Sequence, residues 1–474
     1  LLAAGGSRPA AAGGPFEMLA DGTPVHWDTS RTVHCVVSSG ALGSRSHDTA
    51  ATLVQRALQT WQQVPGAQLQ IQLDGVLSRN VTGSNAVAFL NGIRASDPSP
   101  ILLDNDGSIT DALNGQGAGG DILGFSAPWL VNLRTGQIAV SYTVINGKLH
   151  DGFSDSFLLG TMTHELGHFM NLEHSLVNAQ LLFDGDPTSD GLEPVMFYRG
   201  PNDPGTLSAD DQAWFSWLYS GTAAATGGAI QGQVLLPDGV TGLQGVHVVA
   251  RRVGDPLVTA VGSVSGFQFY VPGAGGISDP ASLGHYLIPN LPPGSYTVEI
   301  ETLLGYPGIA ISPAYLAGGP KYWQKGSSSQ DLAGASTLIT VSAGQTVSGI
   351  DIVLNGDTVG DPKPVQQSAP NPFSSPQHVR LPAVISGTVA AGPAESTAAA
   401  GMIVRPLASP DDLQDVYRVA LGDWTIVTAI LSAQSVVADL DLYVLGQQGT
   451  DLVIEGASTR RGTPPEVVQL RLPP

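Results

Sequence analysis

The sequence predicts a multidomain protein, one α+β domain of about 200 residues followed by two all-β domains. Three observations lead there. The chain has 474 residues, whereas a single hydrophobic core stops growing at about 250–300. Hydrophobic residues make up 42% of it, enough for real cores, while its 59 Gly and 34 Pro favour short strands and turns over long helices. Helical periodicity is confined to the first 220 residues, and only short β-like runs between Pro/Gly turns can be read beyond them.

The elements follow in order. Residues 1–15 are Ala- and Gly-rich and read as a disordered tail, after which a domain spans 16–220. Val25, Trp27, Val33, Cys35 and Val37 alternate along a predicted strand over 24–37. Leu53, Val54, Ala57, Leu58 and Trp61 recur at helical spacing over 47–64, closed by Pro65-Gly66. Strand-like runs at 69–73, 87–90, 122–127 and 138–145 are separated by Gly-, Asp- and Asn-rich turns. Helices are expected at 155–171 and 208–219, the latter opened by Ser208 and Asp211 in a capping-box arrangement. Residues 221–228 and 356–377 read as linkers, which leaves β domains at 229–355 and 378–474.

Twenty Lys plus Arg against forty Asp plus Glu give a net charge of −20, which argues against nucleic acid and anionic lipid as partners. No apolar run approaches the roughly 20 residues needed to cross a bilayer, so no membrane span is expected. The single cysteine, Cys35, excludes an internal disulfide and sits in an apolar run, where a packed thiol is expected. Leu1 to Gly6 lack an initiator Met and fit either the remnant of a cut export signal or a chain that starts further upstream.

The chemistry concentrates in the helix expected over 155–171. His164 and His168 stand four residues apart and project from one face, so they can share a tetrahedral ion. Leu158, Met162, Leu166 and Met170 form a separate apolar stripe for burial. Glu165 falls beside such an ion, where a carboxylate can take a proton from metal-activated water. An H-E-x-x-H match also arises by chance in long chains. His174 narrows the reading: six residues past His168, it reaches the same ion only if the chain turns sharply. Asn171 is the natural turning point, since Asn tolerates a left-handed backbone better than any residue but Gly.

The run H-E-x-x-H-x-x-N-x-x-H resembles the zinc signature of the metzincin proteases, and the chain over about residues 20–220 resembles their matrixin branch. Metzincins normally carry glycine where this chain has Asn171. The segment from Glu193 to Tyr198 lies where the family's Met-turn falls, which implies Met196 as a hydrophobic floor beneath the metal, and Leu207 to Tyr219 resembles the matrixin C-terminal helix. The resemblance implies a zincin-like α+β domain with a mixed, twisted sheet and about three helices. It further implies Zn2+ on His164, His168 and His174, with Glu165 as the general base in peptide-bond hydrolysis. Residues 122–127 resemble the family's edge strand, which implies that Leu123, Gly124 and Phe125 pair with an extended protein or peptide substrate. Tyr198 stands where astacin-like and serralysin-like metzincins carry a tyrosine that reaches the zinc, and is either an oxyanion donor or a packed aromatic.

Leu291 to Val298 resembles carboxypeptidase regulatory-like and prealbumin-like sandwiches, and Ala438 to Val444 resembles the pre-peptidase C-terminal domain. Together these resemblances imply a secreted, extracellular, bacterial zinc endopeptidase, monomeric, with β modules suited to a cell-surface or polysaccharide ligand. The alternative is an adhesion or carbohydrate-binding protein with an inactive or latent metzincin domain. Glu165 argues against it, because a structural site needs no general base.

Two weaker patterns remain. Asp104, Asp106 and Asp111, and separately Asp184, Asp186 and Asp190, could present oxygens to structural Ca2+ or form polar turns. Gly115 to Gly120 satisfies G-x-G-x-x-G without a strand-to-helix context and reads as a loop.

Overall fold

A computed structural model describes residues 13–19, 22–179, 181, 191–197, 206–220, 227–243, 246–266, 283–301, 321–326, 328–330, 334 and 336–354. Beyond these it describes 363–366, 377–380, 383–386, 403–404, 417–419, 425–431, 442–448, 451–458 and 466–472. Its first part contains α1 (His47–Gln62), α2 (Ala86–Asn91), α3 (Ser108–Asn114), α4 (Gly147–His150), α5 (Asp155–Phe169) and α6 (Ala209–Tyr219). Five strands accompany them: β1 (Thr32–Val37), β2 (Gln70–Val76), β3 (Ser99–Asp104), β4 (Gly124–Val131) and β5 (Ile138–Asn146).

These strands form a mixed sheet in the order β2-β1-β3-β5-β4, parallel except for β4, which runs antiparallel to β5 at one edge. Side chains alternate faces along a strand. Ile101, Leu103 and Ile145 therefore join a core with Leu53 and Trp61 of α1 and Leu158 and Met162 of α5. Leu102 and Val144 point the other way, to Leu90 of α2 and Ile109 of α3. Cys35 is buried in the first core, where burial pushes its thiol up to about 12, as a packed cysteine rather than a nucleophile.

The structure corrects the sequence expectations at several points. The run at 87–90 is helix α2, not strand, a segment too short for period to decide between the two. Strand β3 was not expected: all six of its residues are buried, so it shows no alternation, and Pro100 argues against a strand. The strand expected over 24–37 starts only at Thr32, with Pro24 and His26 making isolated bridges. Six α-helices and a 3-10 turn at Ala118–Gly120, rather than about three helices, are present among the described residues. The tail expected over 1–15 ends early, because Gly13 and Pro15 are already hydrogen-bonded or bridged to the body.

From Gly228 onward every named element is a strand. They begin with β6 (Gly228–Leu235), β7 (His247–Arg252), β8 (Ala260–Val264), β9 (His285–Leu291) and β10 (Gly294–Glu301). Then come β11 (Lys321–Gln324), β12 (Ser328–Gln330), β13 (Ile339–Val341), β14 (Thr346–Val347) and β15 (Ile352–Val353). One sheet runs β12-β11-β10-β7-β8 with β13 also on β10; the other runs β14-β6-β15 with β9 on β6. Ile230, Val234 and Ile288 of the second meet Val248, Val298 and Ile300 of the first in one core. The remaining strands include the antiparallel pairs Thr425–Leu431 with Glu466–Leu472 and Leu442–Gln448 with Asp451–Ser458. The protein is thus a sheet-rich α+β molecule of several sheets. No helix among the described residues is long and apolar enough to cross a membrane.

Candidate metal centre

Helix α5 carries the site and is held at both ends. Ser154 caps its first turn by accepting from Phe157 N, and the Arg45 guanidinium ties Asp155 to the carbonyls of His150 and Phe153. The last carbonyls of a helix lack intrahelical partners. Here side chains supply them: Trp27 Nε1 and Ser141 Oγ donate to Phe169 O, and Tyr219 OH donates to Met170 O at 2.8 Å.

The chain then reverses. Leu172 N bonds Gly167 O, Asn171 N bonds His168 O, and Asn171 takes φ 65°, the hydrogen-bond pattern of a Schellman cap with Asn171 in the left-handed position. The Asn171 side chain does more than tolerate that angle. Its Nδ2 donates to Glu17 O at 2.9 Å and Val25 O at 2.6 Å, and its Oδ1 accepts from Glu17 N at 2.8 Å. With Gly13 N to His174 O and Glu173 N to Gly14 O, these bonds lay the N-terminal segment along residues 171–174. Phe16 stacks at a tilt on His168, ring centroids 5.4 Å apart.

The reversal brings His174 beside His168 and His164. The Nε2 atoms of His164 and His168 lie 3.1 Å apart, those of His168 and His174 3.2 Å. His164 Nδ1 meets Val195 O and His168 Nδ1 meets Leu172 O, each at 2.7 Å. A carbonyl can only accept, so both Nδ1 atoms carry the proton, and in a neutral ring Nε2 is then a bare lone pair. Burial favours the neutral form of two of the three rings: His164 is pushed down to about 4, and His174 falls well below the ordinary imidazole range through burial and the neighbouring His168 and His164. Lone pairs aimed at one another repel unless a cation stands among them. The 3.1 and 3.2 Å separations are close to the edge of a tetrahedron around Zn2+, about 3.3 Å for metal–nitrogen bonds of about 2.05 Å, and the three ligand atoms all lie within 4.8 Å of one another. The donor set therefore fits a metal ion, and it is the one such group among the described residues. His174 keeps 28% of its side-chain exposure, which leaves an approach from solvent.

Glu165 is buried, and burial pushes its carboxyl up to about 8. Among the described residues its Oε2 has no hydrogen-bond partner. The carboxylate lies against the start of β4: a Cβ placed on Gly124 would be 3.0 Å from Glu165 Oε1. Gly124 and Phe125 open β4, and Leu123 immediately precedes it, its carbonyl accepting from Asn146 N.

Met196 follows Val195, whose carbonyl meets His164 Nδ1, and is fixed at its backbone by Asp211, which accepts from Val195 N at 2.8 Å and Met196 N at 3.1 Å. The same carboxylate completes the capping box with Ser208. Gly167 leaves room for Met196: a Cβ there would fall inside the van der Waals shell of Met196 Sδ and 3.1 Å from Trp61 Cζ2. Gly167→Ala gains about 1 kcal/mol of helix propensity. Overpacking costs about 1–3 kcal/mol, so a net loss is expected in denaturant unfolding. A stabilised variant would show that Met196 moves aside freely.

Asp210, adjacent, is buried and accepts from Gly262 N at 2.7 Å and from Ser175. Burial raises its carboxyl from 3.8 to about 7. In that window the folded chain keeps a proton that the unfolded chain has released, so stability falls as pH rises through it. Asp210→Asn removes this loss while keeping an acceptor for Gly262 N. The Tm difference, variant minus wild type, should therefore climb between pH 4 and pH 7 and level off above. A flat difference across the window would mean that Asp210 is ionised throughout.

The other candidates are placed differently. Both oxygens of Asp104 take amides at the start of α3, Ile109 N and Thr110 N, and the Thr110 hydroxyl adds to them. Asp106 accepts from Ser108 N, and Asp111 from Gly117 N and Gly119 N. These three carboxylates hold turns, one of the two readings the sequence left open, and none belongs to a cluster able to hold an ion among the described residues. Asp184, Asp186, Asp190 and Tyr198 lie outside the described residues.

No protein-family model matches the sequence, and no curated protein matches it. Among solved structures, BcpA, the major pilin subunit of Bacillus cereus, matches at 18% identity over 27% of this chain and 29% of that one, with a TM-score of 0.15. A likeness of that size fixes neither fold nor function.

Proposed function

We propose that this protein is a zinc-dependent hydrolase acting on peptide bonds. More narrowly, it is an endopeptidase with a metzincin-like, matrixin-like domain, exported to act on extended protein. One observation carries the reading: three imidazoles bring their Nε2 atoms together beside the buried carboxyl of Glu165, whose Oε2 has no hydrogen-bond partner among the described residues and which abuts the edge strand β4. Zn2+ held by His164, His168 and His174 would polarise a scissile carbonyl and acidify water at neutral pH.

The protein's own groups would do the rest. Val195 O and Leu172 O hold two imidazoles in the tautomer that leaves Nε2 free. Glu165, which is not among the clustered ligands, would accept a proton from water and return it to the leaving amine. The outer edge of β4 pairs with no strand among the described residues, so its amides and carbonyls suit an extended peptide laid as an added strand.

The test is cleavage of a quenched, unfolded protein substrate by the purified chain, with and without a zinc chelator, with bound zinc counted. One zinc per chain and cleavage lost to chelator support the reading. A chain that takes up no zinc removes its basis, and a zinc-loaded chain that cleaves nothing removes the enzyme.

A further inference from the structure

The sequence treats the strands after Gly228 as an accessory module on a linker, but the structure places them against the back of the metal centre. Gly262 of β8 is bonded twice to α6: its N–H donates to Asp210 Oδ1 at 2.7 Å, and its carbonyl accepts from Trp214 Nε1 at 2.8 Å. Asp210 also holds Ser175, the residue after His174, and Ser175 N bonds Met196 O at 2.9 Å. One residue links the sandwich to the third ligand, and the neighbouring Asp211 links the same helix to the Val195–Met196 turn.

A second connection runs through Arg251, 6% exposed, which donates to Asn178 Oδ1 at 2.8 Å and to Glu299 Oε1 at 2.5 Å. Asn178, at φ 65°, donates onward to Leu192 O in the approach to Met196 and to Leu257 O in the sandwich. The apolar parts are shared as well. Val177 packs with Val249 and Ala260, Val264 belongs to the core of α5 and Met196, and Ala213 of α6 belongs to the core of the sandwich. Domains that move freely meet through modest, polar surfaces. A buried arginine with fixed partners and two interlocked cores make a permanent joint instead.

We propose that the sandwich of β6–β15 is a structural part of the metal centre, with Arg251 and Gly262 as positioning residues that hold His174 and Met196 in register with α5. The proposal rests on the reading of the three histidines as a metal site. Groups that orient metal ligands from behind typically change metal affinity by about 10–100-fold when removed. A sandwich that merely adds stability would leave the ligand geometry unchanged.

The experiment uses the full chain and two probes, Zn2+ in competition with a chromophoric chelator and Co2+ read by its ligand-field absorption. Arg251→Met and Trp214→Phe each break one connection; Arg252→Met, whose partner Asp255 lies within the sandwich, is the control. Both joint variants should bind Zn2+ about 10–100-fold more weakly and shift the Co2+ band, while the control stays within about twofold of wild type. Trp214→Phe, which removes the hydrogen bond to Gly262 O and part of a buried ring, decides the matter should Arg251→Met fail to fold. Wild-type affinity and spectrum in the folded joint variants overturn the proposal and leave the metal site intact. A wild-type chain that takes up neither ion overturns both.

Discussion

Glu165→Gln is expected to slow cleavage of an extended peptide by about a hundred- to ten-thousand-fold, the usual contribution of general acid–base catalysis, while the zinc content stays at that of the wild type. The substitution is close to isosteric, so the fit against Gly124, where a Cβ would lie 2.9 Å from Glu165 Cγ, is preserved. What changes is the ability to hold and release a proton. Gln also spares the fold a cost: burial alone pushes the Glu165 carboxyl up to about 8, so a neutral amide sits more easily there in the metal-free chain. Metal-free Glu165→Gln should therefore be at least as stable as wild type at pH 8, in contrast to its loss of activity. Full activity in the variant would remove Glu165 from the chemistry, and loss of zinc would make it a ligand or a support for one.

The outline of this site is legible in the sequence because its geometry is local. Two histidines four apart on a helix must share a face, and a third six residues later can join them only through a reversal, which falls at Asn171 with φ 65°. What cannot be read is whatever depends on chain from elsewhere. Gly167 looks like a weak point in a helix until Met196, distant in sequence, fills the space its missing side chain leaves. Gly124 likewise looks like a break in an edge strand until Glu165 is seen against it.

The same divide explains the fold. Helix α1 shows its period plainly, with Leu53, Val54, Ala57, Leu58 and Trp61 all buried. Strand β3 hides because a strand covered on both faces has no alternation to reveal. The joint between α6 and β8 gives no sign in either segment: Gly262 is an ordinary strand glycine, and Asp210 reads as first-turn acid on a helix, a common and unremarked place for one. Only the meeting of the two turns Asp210 into a buried acceptor.

Asn171 offers the sharpest separation of backbone from side chain. Asn171→Gly keeps the left-handed turn at no steric cost, and glycine is the residue metzincin signatures carry there, so the sequence alone predicts a neutral or stabilising change. The structure leads to the opposite expectation. The asparagine side chain is fully buried and makes three hydrogen bonds, to Glu17 N, Glu17 O and Val25 O, which fasten the N-terminal segment beside His168 and His174. Each net bond contributes about 0.5–1.5 kcal/mol, and more where its removal strands a buried partner, so Asn171→Gly should lose about 2–4 kcal/mol. Asn171→Ala should lose about 1–2 kcal/mol more, because a Cβ in the left-handed region adds its own strain. Denaturant unfolding of the metal-free chains keeps metal linkage out of the comparison. Should Asn171→Gly prove as stable as wild type while Asn171→Ala is weakened, the turn alone matters and the N-terminal segment is held by other contacts. Equal losses in both would mean that the left-handed angle carries little strain and that the three hydrogen bonds are the reason for asparagine at this position.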